Sequence, residues 1–461
     1  MRSLVIGYPV DWQKSIIAKS TIEPILWICN KPDCARFPGT IFQTDLEGTN
    51  GVRPEGVLNS SIKYLKDEFF IENLKLVDVC HKLIETRKDA YKGKSFSTYH
   101  RIREFIYKET AYYYSLLKEL DIECVVIESM PHMHYHYIPY YLGNLLGRKV
   151  IIDYRTGEPP RYFLTNSFSN MTPDCLSNET SSDPVTKRQL APSYFSGEKL
   201  SWQSIFDLNK IPNRIRNLPA ISKYLCESSK EFIRLKMIQL RSIHKIAEHN
   251  KLCRQSVPSG KFVFFALHMQ PEDTSYPIGG NFDDQIYAIN YLLELLPADY
   301  TIAVKEHPNQ QMHRGREYGY YQRLCSNPRV ELISQSIGTF DLIKNCEFVS
   351  TITGFVGWEA LTNLKPVITF AQAWYQGFKA VYYISEVKNN PAFFDEVSDF
   401  SLDEVNDFYS FVCSKTFRGV ITQASFPSLG VDIDTNIDFV SNSIDHFLEN
   451  YNWKEAAQNH F

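Results

Sequence analysis

Long apolar runs are missing from this 461-residue sequence, and none is long enough to cross a bilayer as a helix. The first residues, MRSLVIGYPVDWQ, have only a short apolar stretch and no small-residue cleavage site, so they predict a first β-strand rather than a signal peptide. The formal net charge is only −4, which gives no general reason to expect binding to nucleic acid. We therefore expect a cytoplasmic protein, either free or peripheral at the inner face of the inner membrane.

Motifs that hold metals are also missing. None of the ten cysteines forms a CxxC pair, and Cys29 and Cys34 have no partner pair at zinc spacing. The alternating triplet His132, His134 and His136 has no carboxylate or cysteine at a matching spacing. For His132, contact with an acceptor sugar or a plain surface loop is the better interpretation. The sequence therefore predicts reduced cysteines and neither a bound metal nor a cofactor.

Strand and helix patterns alternate along most of the chain. The β-type runs of the second half are separated by helical segments and lie at 262–267, 301–304, 330–333, 347–350 and 366–370. In the first half, similar runs at 4–8, 24–28, 124–127 and 149–153 also alternate with helical patterns. Short strands that alternate with helices indicate parallel sheets with right-handed crossovers. The length and this alternation predict an α/β protein of two domains.

Composition shifts place the domain boundaries. We expect a first domain at 1–256, a second domain at 257–435, and a C-terminal helix at 436–461 that packs back on the first. Within the first domain, 165–200 is polar and predicts a surface loop, and 207–254 is rich in Lys and Arg and predicts basic helices. Such helices have a solvated face or contact an anionic membrane surface or a lipid-linked acceptor.

The segment Lys305-Glu306-His307-Pro308 closes a strand of the second domain. Pro308 cannot continue a central strand ladder, so it predicts a turn. His307 would then point into the crevice at the carboxyl ends of the strands and donate a hydrogen bond to a phosphate or a leaving oxygen. Lys305 would add positive charge there. The alternative is a structural turn with a solvated histidine.

A second polar cluster, TITGFVG at 351–357, joins a strand to a helix. It is neither a P-loop, because no GK[ST] follows, nor a GxGxxG fingerprint. Thr351 and Thr353 supply hydroxyl groups, while Gly354 and Gly357 let backbone N–H groups approach an anion. Glu359, in the first turn of the helix, either accepts hydrogen bonds from a ribose or complements the helix dipole. The alternative for the whole segment is an ordinary helix cap.

Adjacent carboxylates follow the first strand of the second domain, in the segment Gln270-Pro271-Glu272-Asp273. A carboxylate at a strand end suits either a general base or a nucleophile that forms a glycosyl–enzyme adduct. We favour Glu272 over Asp273 for this role, and we expect Gln270 to contact the substrate. The alternative is a solvated turn.

Charged residues also follow a strand of the first domain, in the segment DYRTGEPPR at 153–161. Glu158, together with Arg155 and Arg161, would face the same cleft if the two domains oppose each other. A pair of arginines suits a ligand that carries a carboxylate or a phosphate. The alternative is a loop of surface salt bridges.

The motifs of the second half resemble the capsule polysaccharide biosynthesis family, which contains bacterial β-Kdo transferases with Gln-Pro and His-Pro motifs. The resemblance covers roughly residues 260–380. The segments that carry it, in order, are LHMQPEDTS, FDDQ at 282–285, VKEHP, TITGFVGWEAL at 351–361, KPVITF and AWY at 373–375.

This resemblance implies a GT-B architecture, in which two Rossmann-like domains enclose a cleft. It also implies a CMP-activated 2-keto sugar acid as donor, most often Kdo, and catalysis without a metal. His307 and the loop with Thr351 and Thr353 would hold the CMP phosphate, and Glu359 the ribose. A carboxylate after Gln270 would act at the anomeric carbon, with retention of configuration and Glu158 as acid/base.

The function that these expectations give is transfer of Kdo, or a related acid, to a bacterial surface polysaccharide or its lipid-linked precursor. Two alternatives stay open. One is a GT-B transferase with a UDP-sugar, GDP-sugar or polyol-phosphate donor. The other is a non-catalytic subunit that binds sugar.

Overall fold

Two sheets organise the chain. The computed structural model describes residues 1–29, 37–54, 63–87, 90–91, 98–156, 161–168, 171, 248–272, 274–310, 316–397, 399–421 and 432–453. Of the stretches predicted as a polar loop and as basic helices, 172–247 lies outside these residues.

The first sheet has seven strands in the order β13-β6-β5-β4-β1-β2-β3. The strands are β1 (Arg2–Ile6), β2 (Glu23–Ile28), β3 (Ile41–Gln43), β4 (Cys124–Ile127), β5 (Lys149–Arg155), β6 (Arg161–Thr165) and β13 (Phe417–Arg418). Strands β1 to β5 pair in parallel, whereas β6 and β13 pair antiparallel at one edge. The centre of this sheet is fully apolar and buried, as in β4, because parallel strands are covered by helices on both faces.

The helices of the first domain lie on these two faces. They are α1 (Asp11–Lys19), α2 (Asp45–Asn50), α3 (Asp67–Glu72), α4 (Leu74–Thr86), α5 (Tyr99–Glu119) and α6 (His134–Leu145). The longest, α5, begins where the Thr98 hydroxyl accepts a hydrogen bond from the Arg101 N–H, a side-chain cap that satisfies a backbone donor of the first turn.

The second sheet has six parallel strands in the order β12-β11-β10-β7-β8-β9. They are β7 (Phe262–Ala266), β8 (Thr301–Lys305), β9 (Val330–Ile333), β10 (Phe348–Thr351), β11 (Val367–Thr369) and β12 (Val381–Tyr383). The helices that follow β7 are α7 (Gln285–Leu295), α8 (Tyr320–Leu324), α9 (Thr339–Asn345), α10 (Val356–Leu361), α11 (Ile384–Asn389), α12 (Leu402–Ser414) and α13 (Ile433–Asn450). The strand order reverses between β7 and β10, and this switch point is where open α/β sheets bind ligands.

The predicted fold class, α/β with two Rossmann-like sheets, is confirmed, and each strand predicted in the second half is present within two residues of its expected bounds. The chain returns to the first sheet earlier than the expected boundary at 436, because β13 already pairs with β6. After β13, α13 packs against α1 of the first sheet.

Side chains of α4 contact the segment that follows β7. The Lys82 ammonium lies 2.5 Å from an Asp283 carboxylate oxygen and 4.4 Å from the centre of the Tyr276 ring. A cavity of about 650 Å³ opens beside this contact and is lined by side chains of both parts, including Tyr137, Phe168 and Tyr276. Within the described ranges, no helix is both long and apolar enough to cross a membrane.

Candidate functional site

The switch point of the second sheet is occupied by a buried histidine. His268 lies two residues beyond β7, and its Nε2 is 3.0 Å from the hydroxyl of Thr351, the last residue of β10. The backbone N–H of Thr353 also donates to Nε2, at 3.3 Å. These bonds join the ends of the two strands between which the sheet order reverses.

Gln270 builds the turn after β7. Its backbone N–H donates to Gln310 Oε1 at 2.6 Å, and the Gln310 amide donates back to the Gln270 carbonyl at 3.0 Å. Its side-chain oxygen accepts from Arg316 at 2.6 Å, and its side-chain nitrogen donates to the Asp283 carbonyl. Both ends of the Gln270 amide are thus bound within the protein, whereas the sequence predicted a contact with substrate.

A buried ion pair lies beneath this turn. The Arg316 guanidinium donates to both carboxylate oxygens of Glu306, at 2.7 and 2.8 Å, and the side chains are only 4% and 0% exposed. Arg316 also donates to the His268 carbonyl at 2.6 Å, and Tyr321 donates to Glu306 at 2.9 Å. Burial opposes the charge on Arg316, but the Glu306 carboxylate raises its pKa above the ordinary value, so the guanidinium stays protonated.

The predicted phosphate contacts Lys305 and His307 point to different partners. The Lys305 ammonium donates to the Ile337 carbonyl at 2.6 Å and to the Thr339 hydroxyl at 3.1 Å, at the start of α9. Burial lowers the pKa of Lys305, while the carboxylates of Asp341 and Glu359 oppose that change. The His307 ring accepts from the Asn309 N–H at Nδ1, at 3.2 Å, so in the neutral ring the proton sits on Nε2 and makes that atom a donor.

The hydroxyls of the 351–357 loop hold the loop itself. Thr351 Oγ1 accepts from the Gly354 N–H at 3.1 Å, and Thr353 Oγ1 donates to the Thr274 carbonyl at 2.9 Å. Tyr375 donates to the Gly354 carbonyl at 2.6 Å, and a Cβ on Gly357 would collide with the Tyr375 hydroxyl, which explains why glycine stands there. Thr351 and Thr353 are therefore buried supports of the loop.

Glu272 carries the reachable carboxylate of the cluster. Its side chain is 33% exposed, and one of its oxygens accepts from the Thr274 hydroxyl at 2.9 Å. His268 Nδ1 is 3.9 Å from the same oxygen. Asp273, the predicted alternative, lies outside the described residues. At the other end of the cluster, Pro308 is exposed and Glu359 lies in the first turn of α10, where the sequence placed it.

Two of the residues predicted in the first domain, Arg161 and His132, are bound within the protein. Arg161 donates to the carbonyls of Cys413 and Thr416, at 2.8 and 2.9 Å, at the end of α12. It fastens α12 to β6, where a face shared with Arg155 in the cleft was expected. His132 binds the Met130 carbonyl through Nδ1 at 2.8 Å, and Glu158 lies outside the described residues.

A carboxylate pair that was not predicted lies at the switch point of the first sheet, between β1 and β4. The Tyr8 N–H donates to Glu128 at 2.5 Å, and its hydroxyl donates to Asp153 at 3.4 Å. The Ser129 N–H donates to the other Asp153 oxygen at 3.1 Å. Tyr8 and Ser129 both have positive φ, 56° and 67°, a strained conformation for these residue types.

Burial, and then the charge of Glu128, raises the pKa of Asp153 to about 7. An aspartate in the unfolded chain titrates at about 3.9. At a pH between these two pKa values, Asp153 holds a proton in the folded protein but has released it in the unfolded chain. The free energy of unfolding therefore falls as the pH rises through this range.

We expect Asp153→Asn to remove this pH-dependent loss of stability, because the asparagine side-chain oxygen can still accept from the Ser129 N–H but carries no charge. The stability of the variant relative to wild type should rise by about 2–4 kcal/mol between pH 5 and pH 8. Urea midpoints of both proteins across this range give the measurement. A difference between the two proteins that is the same at pH 5 and pH 8 would contradict the raised pKa.

Sequence reasoning missed His268, Glu306, Arg316, Glu128 and Asp153. His268 and Glu128 each follow a strand end, which was the signal available for finding them. Arg316 stands in no motif, and its partners are 10 to 48 residues away. Among the described residues, no group of three or more His, Cys, Asp or Glu side chains is arranged to hold a metal ion.

The family of capsule polysaccharide biosynthesis proteins has a sequence model that matches residues 189–379 of this chain. The matched segment contains His268, Glu272, His307 and the 351–357 loop, and it confirms the predicted resemblance to that family over those residues.

Similar proteins extend this comparison. The capsule polysaccharide modification protein LipA of Neisseria meningitidis serogroup B is 36% identical over 77 residues, which are 17% of this chain and 11% of LipA. The chain thus spans about a tenth of the length of the LipA proteins that it matches.

Solved structures with a similar fold include two from Thermosulfurimonas dismutans. The structure described as KpsC, beta Kdo 2,7 transferase is 13% identical, with 96% of this chain and 99% of that chain covered and a TM-score of 0.34. The KpsC beta Kdo 2,4 transferase is 13% identical, with 69% and 87% covered and a TM-score of 0.32. A UDP-GlcNAc 2-epimerase from Methanocaldococcus jannaschii is 12% identical, with 89% and 99% covered and a TM-score of 0.27.

Proposed function

We propose, from the match of residues 189–379 to the capsule polysaccharide biosynthesis family, that this chain is a glycosyltransferase that makes a bacterial surface polysaccharide. Its donor is a CMP-activated 2-keto sugar acid, Kdo or a close relative, and its acceptor is an oligosaccharide or a lipid-linked precursor. The observation that carries the proposal is the reachable Glu272 carboxylate, hydrogen-bonded to the loop that follows the switch-point strands.

Donor binding is assigned to the carboxyl ends of β8 and β10. His307 presents its Nε2–H to the CMP phosphate, because Nδ1 accepts from Asn309. The backbone of the 351–357 loop, whose Thr353 N–H binds His268, is assigned to the same phosphate. Glu359 takes the ribose. Lys305 is bound to the start of α9. We assign it to orienting the segment 337–339 and to balancing the charge of Glu359.

Chemistry is assigned to the carboxylate after Gln270. Glu272 attacks the anomeric carbon as the bond from that carbon to the CMP phosphate oxygen breaks, and the electron pair leaves with CMP. The acceptor hydroxyl then attacks the same carbon and releases the carboxylate, while its proton passes to a base, for which we propose Glu158. Two inversions give retention of configuration. The scheme uses no metal.

The acceptor side is assigned to the first domain. Arg155 lies close enough to Glu128 and Asp153 to favour their charged forms, so positive charge is present at the carboxyl edge of the first sheet. A 2-keto acid or phosphate group on donor or acceptor suits such a residue. The basic stretch 207–254 remains our proposed contact with an anionic membrane or lipid-linked acceptor, and only 248–254 of it is described.

Thermal unfolding with CMP, CMP-Kdo, UDP and GDP tests the donor assignment. A ligand that binds only the folded state raises its apparent stability by mass action. We expect CMP at about 100 times its Kd to raise the Tm by roughly 3–8 °C. UDP and GDP should have little effect.

The variant His307→Ala should lose most of this stabilisation, whereas His446→Ala, which changes an exposed histidine on α13, should keep it. Stabilisation by UDP or GDP alone would replace the CMP donor with another nucleotide sugar. An inactive protein that binds sugar but no nucleotide would instead be a non-catalytic subunit.

A further inference from the structure

We propose that His268 and Thr274 are positioning residues that connect the donor-binding loop to the Glu272 carboxylate through a chain of hydrogen bonds. This inference rests on the proposed function, because Glu272 is its end point. His268 and Thr274 both lie in the segment LHMQPEDTS, but neither was assigned a role from the sequence, and neither is assigned to touch the donor or acceptor.

The first hydrogen bond of the series, between Thr353 and His268, determines which atom donates in each of the others. A backbone N–H can only donate, so the bond from Thr353 makes His268 Nε2 an acceptor. Burial, and then the electrostatic influence of His307 and Arg316, lowers the pKa of His268 to about 3, so the ring is neutral at physiological pH. A neutral ring that accepts at Nε2 carries its proton on Nδ1.

The second and third bonds follow from that tautomer. His268 Nδ1–H faces the Thr274 hydroxyl oxygen at 3.2 Å, so it donates to it. The Thr274 hydroxyl, with its oxygen occupied as an acceptor, donates its own proton to Glu272 at 2.9 Å. Thr353 further fixes Thr274 by donating to its carbonyl at 2.9 Å.

This series of hydrogen bonds gives Glu272 a defined orientation and charge state. A hydrogen bond donated to a carboxylate favours its ionised form, which is the form that can attack carbon. His268 is 5% exposed on its side chain while Glu272 is 33% exposed, so the chain runs from the protein interior to a carboxylate that substrate can reach.

The matched pair Thr274→Val and Thr274→Ser tests this role. Valine keeps the shape of the side chain and removes the hydroxyl, whereas serine keeps the hydroxyl. We expect Thr274→Val to lower kcat about 10–100-fold with little change in the KM for the donor, since a hydrogen bond to a charged group is lost. The acid limb of the kcat profile should move to higher pH by about 0.5–1 unit. Thr274→Ser should stay within about 3-fold of wild type.

Two results would overturn the inference. One is an unchanged pH profile in Thr274→Val, and the other is an equal loss in the valine and serine variants, which would mean a packing role only. If Thr274→Val does not fold, Thr274→Ala serves in its place. Loss of turnover in Glu272→Gln, together with an unchanged pH profile of kcat in Thr274→Val, would support the proposed function and contradict the positioning role of His268 and Thr274.

The tautomer of His268 gives a readout that needs no activity. Nitrogen-15 NMR of labelled protein should show a neutral ring protonated on Nδ1 from pH 8 down to pH 5. An imidazolium signal, or a proton on Nε2, in this range would contradict the chain of bonds whatever donor the enzyme uses.

Discussion

Glu272→Gln is expected to lower kcat by roughly 10³-fold or more while CMP still stabilises the protein. Glutamine has nearly the shape of glutamate, and its amide oxygen can still accept from the Thr274 hydroxyl, so the turn after β7 should keep its structure. An amide is a poor nucleophile and a poor base. Single-turnover rates with CMP-Kdo and a defined acceptor would measure the loss apart from donor binding.

The control for this substitution is Glu294→Gln, which makes the same change at an exposed position on α7 in the same half of the chain. It should leave kcat within about 2-fold of wild type. Asp273→Asn, measured in parallel, decides between the two adjacent carboxylates. If Glu272→Gln turns over nearly as fast as wild type and Asp273→Asn is inactive, the nucleophile is Asp273 and not Glu272.

The elements that the sequence predicted well are those whose signal is local. Strand β4 is a run of four apolar residues, and its observed bounds, Cys124–Ile127, are those predicted. The helix α6 begins at His134, and the histidines and tyrosines of its first turn are buried despite their polar atoms, so a pattern of apolar residues does not mark its start. Strand β13 was not predicted, because it is only two residues long and pairs antiparallel with β6 across about 250 residues of chain, a relation that no local period contains.

At the candidate site, too, positions along the sequence were predicted, whereas contacts between distant segments were not. The position of Lys305, Thr351 and Thr353 at strand ends followed from the alternation of strands and helices. The partners of these side chains did not, because Ile337, Thr339 and His268 come from other segments. The polar residues nearest the sheet are thus bonded within the protein, whereas His307 and the partly exposed Glu272, which lie further from the strand ends, are those that we propose to contact a ligand.

The buried pair of Arg316 and Glu306 should have the largest effect on stability. We expect Arg316→Met to lower the free energy of unfolding by about 3–5 kcal/mol, because it leaves the Glu306 carboxylate buried without a counter-charge. The Gln270 side chain and the His268 carbonyl lose a donor in the same variant. Urea unfolding followed by tryptophan fluorescence would measure the change, with equal slopes taken as the sign of an unaltered denatured state.

The double variant Arg316→Met/Glu306→Leu separates the charge from the packing. Replacing a buried ion pair with apolar side chains of similar size is often neutral, so the double variant should recover much of the loss seen in Arg316→Met alone. Arg323→Met, which breaks an exposed pair with Glu317, should cost less than about 1 kcal/mol. A cost for Arg316→Met no greater than that of Arg323→Met would mean that the turn carrying Gln270 and Glu272 is held by its backbone bonds alone. The ion pair would then have no part in placing the carboxylate.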